Sequence, residues 1–74
     1  MSDWYVYIID KKAKFYVGVT TDMENRMRQH SVTRPLYLEG PMSKAEALKR
    51  ERNLKGWRRE KKLALIRESP SQQE

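Results

Sequence analysis

Two tyrosines, Tyr7 and Tyr16, an arginine at 26, a histidine at 30 and a glutamate at 51 are the residues whose types and spacing could do chemistry. A phenol can accept a proton once nearby cations bring its pKa down from about 10. An arginine fork can hold a phosphate and never loses its charge. His30, four residues after Arg26, can bond an anion or orient a tyrosine. A carboxylate such as Glu51 can hold a hard divalent cation, with waters and phosphate oxygens completing the shell. Each residue alone has an ordinary reading. Tyr7 and Tyr16 are strand aromatics, Arg26 is a surface arginine, and His30 is a last-turn histidine favoured by the helix dipole. Glu51 can pair with Lys55 four residues on, worth about 0.2–0.5 kcal/mol. Their order and spacing together carry more weight than any one of them.

The elements that must position them can be read from the pattern. WYVYIID (4–10) and KFYVGVT (14–20) are aromatic and β-branched, which predicts two strands. The short polar DKKAK between them predicts a hairpin. Strand alternation puts Tyr5 and Tyr7 on one face, with Val6 and Ile8 on the other. Tyr7 and Tyr16 are expected to share a side of the sheet, facing the Arg26–His30 helix and Glu51. Thr21 and Glu24 have capping-box spacing, and Asp22 favours the same start, so a helix carrying Met23, Arg26, Met27 and His30 follows. RPLYLEG (34–40) reads as a brief third strand, and Gly40-Pro41 as a breaker. Ser43 and Glu46 form a second capping box. Ala47, Leu48, Leu54 and Trp57 recur at helical spacing, with Glu51 beside that stripe. Gly56 ends or loosens this helix, and a last helix holding Trp57, Leu63, Leu65 and Ile66 packs back on the sheet. The expected architecture is α+β: a three-stranded antiparallel sheet flanked by three helices, in the order β-β-α-β-α-α. One domain over 1–68 is expected, with SPSQQE (69–74) as a polar tail.

Composition narrows the function. A chain of 74 residues makes one small domain with a thin core. Without cysteine there is no disulfide or thiolate site, and one histidine excludes a histidine-rich zinc site. No apolar run approaches membrane-spanning length, and no signal-peptide pattern opens the chain, so the expected setting is cytoplasmic and the expected state a monomer. The net charge is +6, and residues 44–67 hold ten basic against three acidic side chains. So lopsided a sign is the footprint of a nucleic-acid binder, whereas a merely solvated face does not need it.

The Val6-Tyr7-Ile8 and Tyr16-Val17-Gly18 segments, followed by Arg26 and His30 and then by EALKRERNLKGWRREKKLALI (46–66), resemble the GIY-YIG nuclease family. The resemblance runs from about Trp4 to Ile66. It implies a metal-dependent endonuclease that hydrolyses DNA phosphodiester bonds, with branched, nicked or flapped DNA among the candidate substrates. It implies catalytic roles for Tyr7, Tyr16, Arg26 and His30, and for Glu51 as the carboxylate holding one magnesium or manganese ion. Gly18 would let backbone and substrate approach closely, and Lys49, Arg52, Lys55, Arg58 and Arg59 would grip the DNA together with Arg26. The chain departs from the family in two loops: the hairpin is short and lacks its usual glycine, and the stretch between His30 and Arg34 is trimmed. Both changes spare the catalytic positions. The alternative is a GIY-YIG-like domain, weak or inactive as an enzyme, that binds DNA or a protein partner.

Overall fold

The computed structural model describes residues 3–31 and 35–68. The elements run β1 (Trp4–Lys11), β2 (Lys14–Thr20), α1 (Met23–Gln29), β3 (Tyr37–Met42), α2 (Lys44–Lys55) and α3 (Arg59–Glu68). This is the α+β order read from the sequence. The expected tail over 69–74 and the expected start of the third strand at Arg34 lie outside the described residues.

The sheet order is β2-β1-β3, and both pairings are antiparallel. The central strand is covered on both faces, which is why Val6, Tyr7, Ile8 and Ile9 are all buried. Alternation divides the core as expected. Val6, Ile8, Val17 and Tyr37 pack with Ala47 and Leu54 of α2, and Leu65 and Ile66 of α3 close over them. Tyr7 and Ile9 pack on the opposite face with Met27 of α1. The sheet is therefore sandwiched between α1 on one side and α2 with α3 on the other.

Several local expectations are corrected. Gly40-Pro41 does not break the chain; it lies inside β3. Trp4 pairs with Met42 and Val6 with Glu39, so Gly40 and Pro41 together oppose Tyr5 in a bulge. A glycine is needed there because φ is +133° and a Cβ would meet the Trp4 carbonyl oxygen at 2.7 Å. Pro41, which has no N–H to donate, is tolerated because β3 is an edge strand. Asp22, not Thr21, caps α1, its Oδ1 accepting from the Asn25 N–H at 3.1 Å. Leu48 is 39% exposed, so the buried stripe of α2 is Ala47 and Leu54 without it. Trp57 precedes α3, its ring flanked by the Arg50 guanidinium at 5.4 Å and the Lys61 ammonium at 4.2 Å. The Ser43–Glu46 capping box forms as expected, and Gly56 caps the end of α2. Among the described residues, no helix is long and apolar enough to cross a membrane.

Candidate active site

The hairpin register sets Tyr7 opposite Gly18 and Ile9 opposite Tyr16. Both phenols therefore stand on the α1 side, on a diagonal across the two strands. Gly18 leaves room for Tyr7: a Cβ there would lie 2.6 Å from Tyr7 Cζ and closer still to Oη. The missing side chain thus admits the tyrosine ring and positions its hydroxyl over β2. The anticipated close approach at Gly18 is made in the free protein by Tyr7 itself.

Helix α1 brings the next partners. Thr20, the last residue of β2, is buried, and its Oγ1 accepts from the Asp22 N–H at 3.0 Å, which fixes where α1 leaves the sheet. One turn before the end of the helix is Arg26, and its carbonyl accepts from the His30 N–H at the C-cap. His30 Nε2 lies 3.4 Å from Tyr7 Oη. The His30 ring is also 5.2 Å from the Tyr16 ring, centroid to centroid. Tyr7, Tyr16 and His30 thus form one aromatic cluster, open at Tyr16, which is 48% exposed.

Lys11, which the sequence reading passed over, completes the cluster. Its ammonium lies 3.4 Å from His30 Nδ1. An ammonium can only donate, so this contact favours an accepting Nδ1 and a ring hydrogen on Nε2. In that tautomer Nε2–H donates to Tyr7 Oη. Both contacts are at the long end for hydrogen bonds. The signal was present in the sequence: positions 7, 9 and 11 of one strand share a face.

The condition set for a tyrosine base, a pKa lowered by nearby cations, is not met at Tyr7. The Tyr7 phenol sits above its ordinary pKa of about 10, not below it, because burial outweighs the lowering by Arg26. Tyr16 and Glu51 raise it a little further. His30 sits below its ordinary value, through burial and the charges of Lys11 and Arg26.

The expectation that the two tyrosines also face Glu51 is corrected, because α2 packs on the Val6 and Ile8 face of the sheet and not on the Tyr7 face. Glu51 lies between buried Ala47 and Leu54 on the stripe of α2 that faces the other side of the sheet, and its side chain is 20% exposed. Its charge is still felt at Tyr7. Oε2 pairs with Lys55 Nζ at 3.2 Å, the ion pair its spacing allows. Among the described residues no three His, Asp or Glu side chains converge.

Of the expected DNA-gripping residues, Lys49, Arg52 and Arg58 are exposed. Arg59 is anchored: its Nη1–H donates to the Ala13 carbonyl at 3.3 Å, and its guanidinium lies 4.3 Å from the Phe15 ring centroid. Arg50 bonds Glu39 Oε1 at 2.9 Å, while the Tyr37 hydroxyl donates to Oε2 at 2.7 Å, so Arg50 braces α2 against β3.

The family model of the GIY-YIG catalytic domain, a nuclease-type domain, matches residues 3–35. Along nearly the whole chain, similarity extends to UPF0213 proteins of staphylococci. One from Staphylococcus saprophyticus is 37% identical over 81 residues, covering 92% of this chain and 99% of the relative. Others, from Staphylococcus aureus strains Mu3 and Mu50, are 36% identical with the same coverage. The chain belongs to the GIY-YIG family, among its small UPF0213-type members. A match over 81 residues exceeds the 74 of this chain, so the relatives carry residues it lacks. No solved structure gives a significant match. The matched segment 3–35 takes in Tyr7, Tyr16, Gly18, Arg26 and His30 but stops short of Glu51.

Proposed function

We propose that this domain is a divalent-metal-dependent endonuclease hydrolysing DNA phosphodiester bonds, branched or nicked structures included. The observation that carries the reading is the convergence of Tyr7, Tyr16 and His30 on the α1 face, with the Arg26 charge acting on Tyr7. Arg26 holds the scissile phosphate through its planar fork. Tyr7 first gives its own proton to solvent; a water oxygen then attacks phosphorus, its proton passes to the Tyr7 phenolate Oη, the bond to the leaving oxygen breaks, and that oxygen takes a proton from solvent. The Nε2–H of His30 steadies the Tyr7 phenolate, and exposed Tyr16 orients the phosphate. Lys49, Arg52, Lys55, Arg58 and Arg59 hold the strand by phosphate contacts.

Glu51 suits a magnesium or manganese ion in kind, since such ions accept one or two carboxylates with waters and phosphate oxygens. With no acidic cluster around it among the described residues, Glu51 is the carboxylate that would hold one ion, and Lys55 would have to release Oε2. The ion would supply positive charge against the phosphate.

The Glu51–Lys55 pair also favours a second reading, a domain that binds DNA without cutting it. Nicking of supercoiled plasmid with magnesium or manganese, against the same protein in EDTA, decides between them. Nicking that EDTA stops establishes the enzyme. Tight DNA binding with no nicking across a panel of junctions leaves the binding domain.

A further inference from the structure

On the face of the sheet opposite the tyrosine cluster, the start of β2 and the first turn of α3 flank an open cavity of about 240 Å³ lined by Lys14, Phe15, Arg59 and Lys62. Three of the four side chains are cationic and none is acidic. Glu60, in the same turn of α3, is not among them. We infer that this cavity is a phosphate subsite, taking a backbone phosphate one or two nucleotides from the scissile bond. The inference rests on the DNA-cleaving reading above and names where the same strand is held.

The cavity is built for an anion. Arg59 is fixed before any ligand arrives, by the Ala13 carbonyl and by stacking on Phe15. Two of its five N–H groups at most serve Ala13, so others remain for a ligand. A pre-ordered guanidinium loses little entropy on binding. Lys14 and Lys62 add two point charges, and Lys62 lies in the first turns of α3, where the helix dipole also favours an anion. A base is the wrong occupant. The Phe15 ring face that a base would stack on is already covered by the Arg59 guanidinium. The volume also falls below the roughly 300 Å³ at which pockets for drug-sized molecules begin.

Position along the strand sets the register. Strand β2 is at the edge of the sheet, so nucleic acid can run beside it. Lys14 and Tyr16 are two residues apart, about 7 Å along a strand. Duplex DNA rises about 3.4 Å per nucleotide along its axis, and successive phosphates on the wound strand lie farther apart than that, so this span matches one to two nucleotides. Phe15 and α3 lie on the other face of the sheet from Tyr16, so a strand whose scissile phosphate lies at Tyr16 reaches the cavity by crossing the β2 edge at Lys14.

The test is fluorescence anisotropy of a labelled duplex oligonucleotide in EDTA across a salt series, with plasmid nicking in magnesium alongside. The double variant Lys14→Ala/Lys62→Ala is compared with wild type and with Lys12→Asn, which removes a charge from the hairpin outside the cavity. The expected result is roughly 10-fold weaker binding for the double variant, and a salt slope reduced by about 0.9 for the lost phosphate contact. Lys12→Asn should change neither by as much. If the double variant binds like wild type, or no worse than Lys12→Asn, the subsite is overturned; so too if wild type does not bind DNA at low salt. Binding lost in the double variant while wild type fails to nick would uphold the subsite and sink the nuclease. Nicking by wild type with an indifferent double variant would do the reverse. Thermal unfolding of each variant separates lost contacts from lost fold.

Discussion

The Tyr7 hydroxyl lies over the Cα of Gly18, its cross-strand partner, in the space where any other residue would carry a Cβ. The two positions are one device: the strand that carries the second tyrosine is cut away to seat the first. Gly18→Ala should therefore act on Tyr7 before it acts on any substrate. Tyr7 is 2% exposed and has no room to retreat. The overpacking should cost about 1–3 kcal/mol, lowering Tm by roughly 4–8 °C for each kcal/mol in a domain this size. A Gly18→Ala protein melting with wild type would show that the ring does not rest there.

Tyr7→Phe keeps the ring and removes only the hydroxyl, so the fold should survive and cleavage should fall about 10²–10⁴-fold. Tyr16→Phe should cost less, since Tyr16 orients and does not accept the proton. The raised Tyr7 pKa has a sign that can be checked. The phenol is protonated at neutral pH, so wild-type cleavage should climb as pH rises from 7 toward 10, and Tyr7→Phe should flatten that climb. The same shift means that Tyr7 supports folding below pH about 10, with support lost above it, because the unfolded phenol ionises first. A pH–rate profile of Tyr7→Phe parallel to wild type would remove Tyr7 from the proton transfer.

Glu51→Gln tests the carboxylate. Cleavage should vanish while DNA binding persists or tightens, since a negative charge near phosphate is lost and Lys55 is set free. Wild-type cleavage by Glu51→Gln in magnesium would end its assignment as the metal ligand.

Much of this was legible, and the exceptions share a cause. The alternation in WYVYII separated Tyr7 from Val6 and Ile8 because a strand has a fixed period. Ser43 with Glu46 announced α2 because a capping box is made within four residues. The bulge at Gly40-Pro41 depends on how β3 pairs with β1, and that register is not local. Leu48 had core spacing on α2, but only the packed sheet shows which edge of the stripe meets the core. The direction of the Tyr7 pKa was not legible for the same reason. Nearby cations could be counted in the sequence, but the burial that outweighs them comes from the packing of α1 on the sheet. Lys11 was readable by alternation alone.

The hairpin turn stores removable strain. Lys12 and Ala13 have φ of +53° and +65°, both left-handed, in a two-residue loop that favours Asn-Gly. The sequence showed that the usual glycine was missing; the structure shows what its absence costs. A left-handed non-glycine residue costs roughly 1–2 kcal/mol, so Lys12→Asn with Ala13→Gly should raise the unfolding midpoint in urea. The Ala13 carbonyl that holds Arg59 would remain in place. An unchanged or lowered midpoint would mean that the turn is not of this type.

His30 gives the most direct reading of the cluster, because it is the only histidine in the chain and its ring nitrogens can be assigned by NMR without ambiguity. With Lys11 donating to Nδ1, the neutral ring should carry its hydrogen on Nε2, pointing at Tyr7 Oη. The choice matters for the chemistry. A hydrogen on Nε2 stabilises a Tyr7 phenolate, whereas one on Nδ1 would make Nε2 an acceptor that keeps Tyr7 protonated. Lys11→Met should shift the population toward Nδ1–H and let the His30 pKa rise, since one of the charges lowering it is gone. Because that pKa lies below its unfolded value near 6.5, the group supports folding above about pH 6.5 and withdraws that support as pH falls, when the unfolded chain takes up the proton first. Lys11→Met should soften this loss. In cleavage, Lys11→Met should lower the rate at neutral pH while leaving DNA binding in EDTA nearly intact. ¹⁵N shifts showing Nδ1–H in the wild-type protein, or a tautomer indifferent to Lys11→Met, would break the link from Lys11 through His30 to Tyr7.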